Sequence, residues 1–126
     1  MNIIISNSAG VPIYEQITAQ FKEMILSGEL NEGDALPSMR ALAKELRVSV
    51  ITTKRAYEDL ERDGFIESYT GKGSFVKSKS QDFLREENLR AIDEHLSNAV
   101  SYAKRCELSL GELTELLEIL YQGENE

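Results

Sequence analysis

A mainly α-helical chain with one small β-hairpin, three helices before the hairpin and two after it, is the fold class this sequence predicts. Three observations lead there. Apolar residues recur at three- and four-residue spacing in successive stretches between Ile13 and Leu60, the period of a helix that buries one face. A glycine-centred switch to β-prone residues follows between Phe65 and Lys77. Beyond the polar joint Lys77-Ser78-Lys79-Ser80-Gln81, two further stretches return to helical spacing. The expected division is residues 1–77 and residues 78–126.

Val11-Pro12-Ile13 opens the first helix, because proline has its φ pre-set for a first turn and lacks only an N–H that would go unpaired there. Ile13, Ile17, Phe21 and Ile25 form its inward stripe as far as Ser27-Gly28. The stretch Gly28 to Asp34 is turn-rich, and Leu36-Pro37-Ser38 is extended, since a residue before proline is driven out of helical geometry. Ser38 caps a short second helix with Met39, Leu42, Ala43 and Leu46 inward, ending near Arg47-Val48. Ser49 caps a third, in which Thr53, Ala56, Tyr57 and Leu60 share a face and Asp63-Gly64 supplies the stop. Phe65 to Tyr69 and Ser74 to Lys77 then form two strands joined across Thr70-Gly71-Lys72-Gly73.

In the second part, Leu89, Ile92, Leu96, Val100 and Ala103 predict a helix from about Asp82 to Arg105. Ser109 caps the last helix, whose stripe is Leu110, Leu113, Leu116, Leu117 and Leu120, with Gly123 and the acidic residues after it fraying the end. These stripes are too large for a free hairpin of about 45 residues to hide. They pack on the first part, on a second copy, or on both, and a homodimer through Leu89, Ile92, Leu96, Val100, Leu110, Leu113, Leu117 and Leu120 is the economical expectation.

Three helices followed by a hairpin make a winged helix-turn-helix, and its third helix has the size for a DNA major groove about 12 Å wide. The same architecture also serves as a protein-docking module, so both uses stand at this level. The net charge of −8 looks wrong for a partner of DNA, whose affinity rests largely on neutralised phosphates. Its distribution removes the objection. Residues 1–80 carry ten Lys and Arg against eleven Asp and Glu, a net of −1, while residues 81–126 carry four against eleven, a net of −7. Between Ser38 and Ala56, Arg40, Lys44, Arg47, Lys54 and Arg55 face only Glu45, and Lys72, Lys77 and Lys79 form a second basic cluster. Such islands suit a phosphate-binding face or a solvated helix surface. The acidic residues Glu107, Glu112, Glu115 and Glu118 point away from DNA or serve solubility alone.

Catalysis finds little support. The one histidine, His95, and the one cysteine, Cys106, lie eleven residues apart on a predicted helix, about 16 Å, too far for a nucleophile and its base. No cofactor or metal is expected, and Cys106 is either a packing residue at a helix end or a redox-sensing thiol. A lone cysteine, the lack of an apolar run of about 18 residues, and a start, Met1-Asn2-Ile3-Ile4-Ile5, too short for a signal peptide point to the cytoplasm and away from the membrane.

The residue identities go further. Pro12-Ile13-Tyr14-Glu15-Gln16-Ile17, the run from Gly28 through Leu36-Pro37-Ser38-x-Arg40-x-Leu42-Ala43, Val48-Ser49-x-x-Thr52, Ala56-Tyr57-x-x-Leu60-Glu61-x-x-Gly64-x-Ile66 and Gly71-x-Gly73-x-Phe75-Val76 closely resemble the GntR family of bacterial regulators over residues 11–77. The short second part resembles that family's YtrA-like subfamily with its two-helix tail. The resemblance implies a sequence-specific DNA-binding regulator, leaning towards repression, that binds double-stranded operator DNA and in some members answers a small-molecule effector. A two-fold dimer would set two recognition helices about one DNA turn or a multiple apart, on a pseudo-palindromic operator. A small cavity between the two parts is a possible effector site, although no constellation of polar residues marks one.

The DNA-facing set expected on this basis is Ser38, Arg40, Ser49, Val50, Ile51, Thr52, Thr53, Lys54, Arg55, Thr70, Gly71 and Lys72. The resemblance places Arg40 at the DNA, on a phosphate or a guanine edge; a surface ion pair with Glu45 or a neighbour is the alternative. Thr52 or Thr53 offers a hydroxyl to phosphate or base, and Val50 or Ile51 a contact to a thymine methyl. The family often carries a basic or polar residue where Val50 stands. Lys54 and Arg55 reach phosphate or solvent. Gly71-Lys72-Gly73 lacks the full phosphate-loop pattern and reads as a wing tip, with Lys72 at a minor groove or a phosphate. Tyr57, Leu60, Phe65, Phe75 and Val76 belong to the core, and Tyr14 is a core-edge residue or a hydroxyl donor to the DNA backbone.

Overall fold

The computed structural model describes residues 2–8 and 10–123, so the acidic end beyond Gly123, expected to fray, lies outside the described residues. The elements are α1 (Ile13–Ser27), α2 (Met39–Leu46), α3 (Val50–Arg62), β1 (Ile66–Tyr69), β2 (Gly73–Val76), α4 (Gln81–Arg105) and α5 (Leu110–Gly123). They fall into two compact units, Met1–Leu84 and Arg85–Glu126. The first unit therefore runs past Lys77, because Phe83 in the first turn of α4 stacks edge-on against Phe65, ring centroids 5.4 Å apart.

Helix ends follow local chemistry. Pro12 precedes α1, and its carbonyl accepts from the backbone N–H groups of Glu15 and Gln16. Gly28 closes the helix at φ 87°, a left-handed conformation that glycine takes without penalty. Ser38 Oγ accepts from Ala41 N at 3.0 Å and Ser49 Oγ from Thr52 N at 3.3 Å, as both caps were expected to do. Arg47 ends α2 at φ 60°, which makes the turn into α3 tight.

The core lies among α1, α3 and the hairpin. Ile17, Phe21 and Ile25 of the predicted stripe are buried beside Leu42, Ala56, Tyr57, Leu60, Phe65, Ile66 and Val76, while Ile13 is only partly covered. The strands pair antiparallel with Ile66 opposite Val76 and Tyr69 opposite Gly73. The lead-in to α2 adds to this sheet: Leu36 N donates to Ser74 O at 2.9 Å, and Val76 N to Asp34 O at 2.8 Å. β2 is thus flanked on both sides, an arrangement that periodicity within 28–38 did not announce. The chain start was also unforeseen as structure. Ile3 enters the core, and the amides of Gln20 and Gln16 exchange hydrogen bonds with the backbone of Ile4 and Ser6 at 2.7 to 2.9 Å.

In the second unit the chain reverses after α4 through Glu107 at φ 60°, and Leu108 N donates to Ala103 O at 2.8 Å. Ser109 and Glu112 make a reciprocal capping box at the start of α5, each side chain accepting from the other's backbone N–H. That pairing, Ser109 N–H first, holds the Glu112 carboxyl below its usual range. Ala103 is buried, but Leu89, Ile92, Leu96, Val100, Leu110, Leu116, Leu117 and Leu120 remain exposed. No helix among the described residues is long and apolar enough to cross a membrane.

Candidate nucleic-acid interface

The first turn of α3 and the start of α2 are fixed to one another by hydroxyls. Thr53 is fully buried, and its Oγ1 donates to the Met39 carbonyl at 2.9 Å and the Val50 carbonyl at 3.0 Å. Tyr57 donates to the Pro37 carbonyl at 2.6 Å, and burial pushes its phenol well above the ordinary tyrosine range. The lead-in to α2, and with it Ser38 and Arg40, is therefore tied to the buried face of α3. Thr53 leaves the expected DNA-facing set: its hydroxyl has inward partners and no exposed surface. Its position beside Ala56, Tyr57 and Leu60 in the helical period was the better guide than its polarity.

The remaining expected residues are placed outward or at the rim. Ser38, Arg40, Ser49, Val50, Ile51, Lys54 and Arg55 are exposed, and Thr52 is half-buried. Among the described residues Arg40 makes no ion pair, with Glu45 or with any other acidic residue. Arg55 lies with its guanidinium 4.0 Å from the Tyr14 ring centroid, which packs the planar cation on α1 although the residue is exposed. Tyr14 itself is half-buried against the core, and its hydroxyl lies 3.3 Å from a Glu15 carboxylate oxygen.

At the wing, Thr70, Gly71 and Lys72 are exposed at the tip, where Lys72 N closes the turn on Tyr69 O at 2.9 Å. Gly71 and Gly73 hold φ of 78° and 100°, so this tip needs glycine for its own geometry. Tyr69 is half-exposed beside it. The wing base is bound to α3, since Glu61 accepts from Ser68 N at 3.1 Å.

Not every cation in the two basic islands is available. Lys79 is directed inward: its ammonium donates to the carbonyls of Phe65 and Lys77 and sits over the rings of Phe65 and Phe83. Burial, with Lys77 nearby, lowers its pKa. On the other side of α3, Lys22 and Arg62 both engage Asp63. Among the described residues of these islands the free cations are Arg40, Lys44, Arg47, Lys54, Lys72 and Lys77, all exposed.

Three helices, a capped recognition-type helix, a glycine-tipped wing and a cationic rim define a winged helix-turn-helix DNA-binding domain. The pattern described as "Bacterial regulatory proteins, gntR family" matches residues 13–76, from the start of α1 to the end of β2. The chain belongs to the GntR family; it is a DNA-binding transcriptional regulator and not an enzyme. It is 35% identical over 116 residues to the HTH-type transcriptional repressor YtrA of Bacillus subtilis, covering 92% of this chain and 89% of that one. YtrA from Sulfolobus acidocaldarius, described as a GntR-family transcription factor, is 40% identical with a TM-score of 0.59, over 72% of this chain and 97% of that one. The DNA-binding domain of AraR in complex with operator ORE1 is 25% identical with a TM-score of 0.51, over 60% of this chain and 93% of that one.

Proposed function

We propose that the chain is a homodimeric cytoplasmic repressor that grips a pseudo-palindromic operator, with the first turn of α3 in the major groove and the wing on the flanking backbone. The observation that carries this reading is Arg40, exposed, without an ion-pair partner among the described residues, on a helix start whose backbone is tied to α3 by the Thr53 and Tyr57 hydrogen bonds. A guanidinium free of other partners on such a fixed backbone is available to a phosphate or a guanine edge. Ser38, Ser49, Val50, Ile51, Thr52, Lys54 and Arg55 surround the groove-facing turn, and Thr70, Gly71 and Lys72 form the wing contact.

The dimer is supported by the uncovered apolar surface of α4 and α5. A groove of about 300 Å³ between them is lined by Leu96, Val100, Leu110, Leu113, Leu117 and Leu120 with Ala99, Thr114 and Leu116. A second copy of the same hairpin supplies matching leucines in a two-fold arrangement. Repression is supported by the similarity to the Bacillus subtilis repressor.

Fluorescence anisotropy on duplexes from the gene's own upstream region is the test. Low-nanomolar to micromolar binding that weakens steeply with salt is expected, together with loss of affinity in Arg40→Ala and Lys54→Ala while gel filtration still shows a dimer. Absence of binding at low salt refutes the operator reading. A monomer in gel filtration, or a dimer unaffected by Leu117→Asp, refutes the proposed interface.

A further inference from the structure

Between Ile13 and Val76 the large hydrophobic residues that stay exposed among those described are Val50, Ile51 and Tyr69. Two of the three stand side by side on the first turn of α3, with Ile51 79% exposed and Val50 42%. An isoleucine so exposed contributes little to folding, since it is hardly withdrawn from water. The polar side chains of the same turn are already engaged. Ser49 Oγ accepts from Thr52 N and lies 2.9 Å from Thr52 Oγ1, while the Thr53 hydroxyl bonds inward. What this turn offers outward is therefore chiefly aliphatic.

The major-groove edges of guanine, adenine and cytosine present hydrogen-bond donors and acceptors; thymine alone adds a C5-methyl group. An aliphatic side chain pressed against a polar edge strips it of water and returns no hydrogen bond, which costs free energy. Pressed against a methyl, it removes apolar surface from water on both sides.

We propose that Ile51, flanked by Val50, reads a thymine methyl, so that tight binding requires a T·A pair at one fixed step in each half-site. This rests on the operator reading above and names its base preference. Guanine recognition, where present, falls to Arg40 and not to the first turn of α3. Burying one methyl corresponds to about fourfold in affinity, and the symmetric pair to about fifteenfold.

The experiment selects duplexes from a random-sequence pool with the full-length protein, then resynthesises the winner with deoxyuridine at each thymine in turn, which removes only the methyl. Expected is one symmetric thymine position where uracil weakens anisotropy-measured binding about fourfold per half-site, with that sensitivity lost in Ile51→Ala and reduced in Val50→Ala. Both residues are exposed, and unchanged thermal midpoints confirm that the variants fold. Equal affinity for thymine and uracil at every position overturns the inference, and so does a sensitivity that persists in Ile51→Ala, while DNA binding itself stands. If no duplex is enriched, the operator reading fails and takes this inference with it.

Discussion

Tyr57→Phe removes one oxygen from the interior and leaves the ring, which packs edge-on against Phe21 at a centroid distance of 5.8 Å. The lost group is a buried donor to the Pro37 carbonyl at 2.6 Å. Deleting one partner of such a bond costs about 1–2 kcal/mol. For a unit of this size each kcal/mol corresponds to about 4–8 °C in Tm, so the winged-helix unit should melt about 4–16 °C lower at pH 7. Circular dichroism at 222 nm follows the transition. The pH dependence has a fixed sign. Burial raises the phenol's pKa in the folded state above the unfolded value of about 10, so its contribution is complete below pH 10 and is lost as pH rises beyond it. The gap between wild type and Tyr57→Phe should therefore narrow above pH 10, where the phenylalanine variant has nothing to ionise. A Tm difference below about 2 °C at pH 7, or a gap that stays constant up to pH 11, refutes the view that this hydroxyl anchors the lead-in to α2.

Arg47 ends α2 at φ 60°. Arg47→Gly should therefore relieve about 1 kcal/mol of left-handed strain and raise Tm, while removal of an exposed cation weakens DNA binding; unchanged Tm would show that the turn is unstrained. Lys54→Ala should reduce the slope of log affinity against log salt by about 0.9 for each phosphate that the side chain neutralises. Lys79→Met, whose ammonium is held by the Phe65 and Lys77 carbonyls, should leave that slope unchanged and lower Tm; a reduced slope would place Lys79 on the DNA. At Asp63, burial opposes ionisation, but the Lys22 hydrogen bond and the charges of Lys22 and Arg62 outweigh it and lower the pKa. A depressed carboxyl stabilises above its unfolded pKa of about 4 and loses that contribution as pH falls further. Asp63→Asn should accordingly flatten acid destabilisation below pH 5 in a thermal-shift series, and an unaltered slope would remove the Lys22 pairing from the account.

The helices and their caps were legible because they are local: Ser38, Ser49 and Ser109 announce their helices within three residues, and stripes such as Ile17, Phe21, Ile25 carry their period openly. Contacts between distant segments were not. Nothing near Ile4 says that the Gln20 amide, sixteen residues on, will bond its backbone; two glutamines at i and i+4, facing an isoleucine-rich start, were the available signal. Charge counting treated Lys79 like Lys72, since sequence does not show which ammonium has carbonyls and rings around it. Thr53 failed for the opposite reason. Its spacing placed it inward while its hydroxyl suggested the groove, and geometry reconciles the two by giving that hydroxyl two backbone carbonyls.

Because Leu36 and Asp34 bond directly to β2, the wing and the arginine share one short piece of chain: four residues separate Ala35 in the sheet from Arg40 on its helix. If the wing meets a phosphate as proposed, a twist of the hairpin there would be passed along that strut to the backbone that carries Arg40 instead of being absorbed by a slack loop. On that reading the two contacts would engage together, and an insertion between Asp34 and Pro37 would leave both tips intact while changing the distance between them.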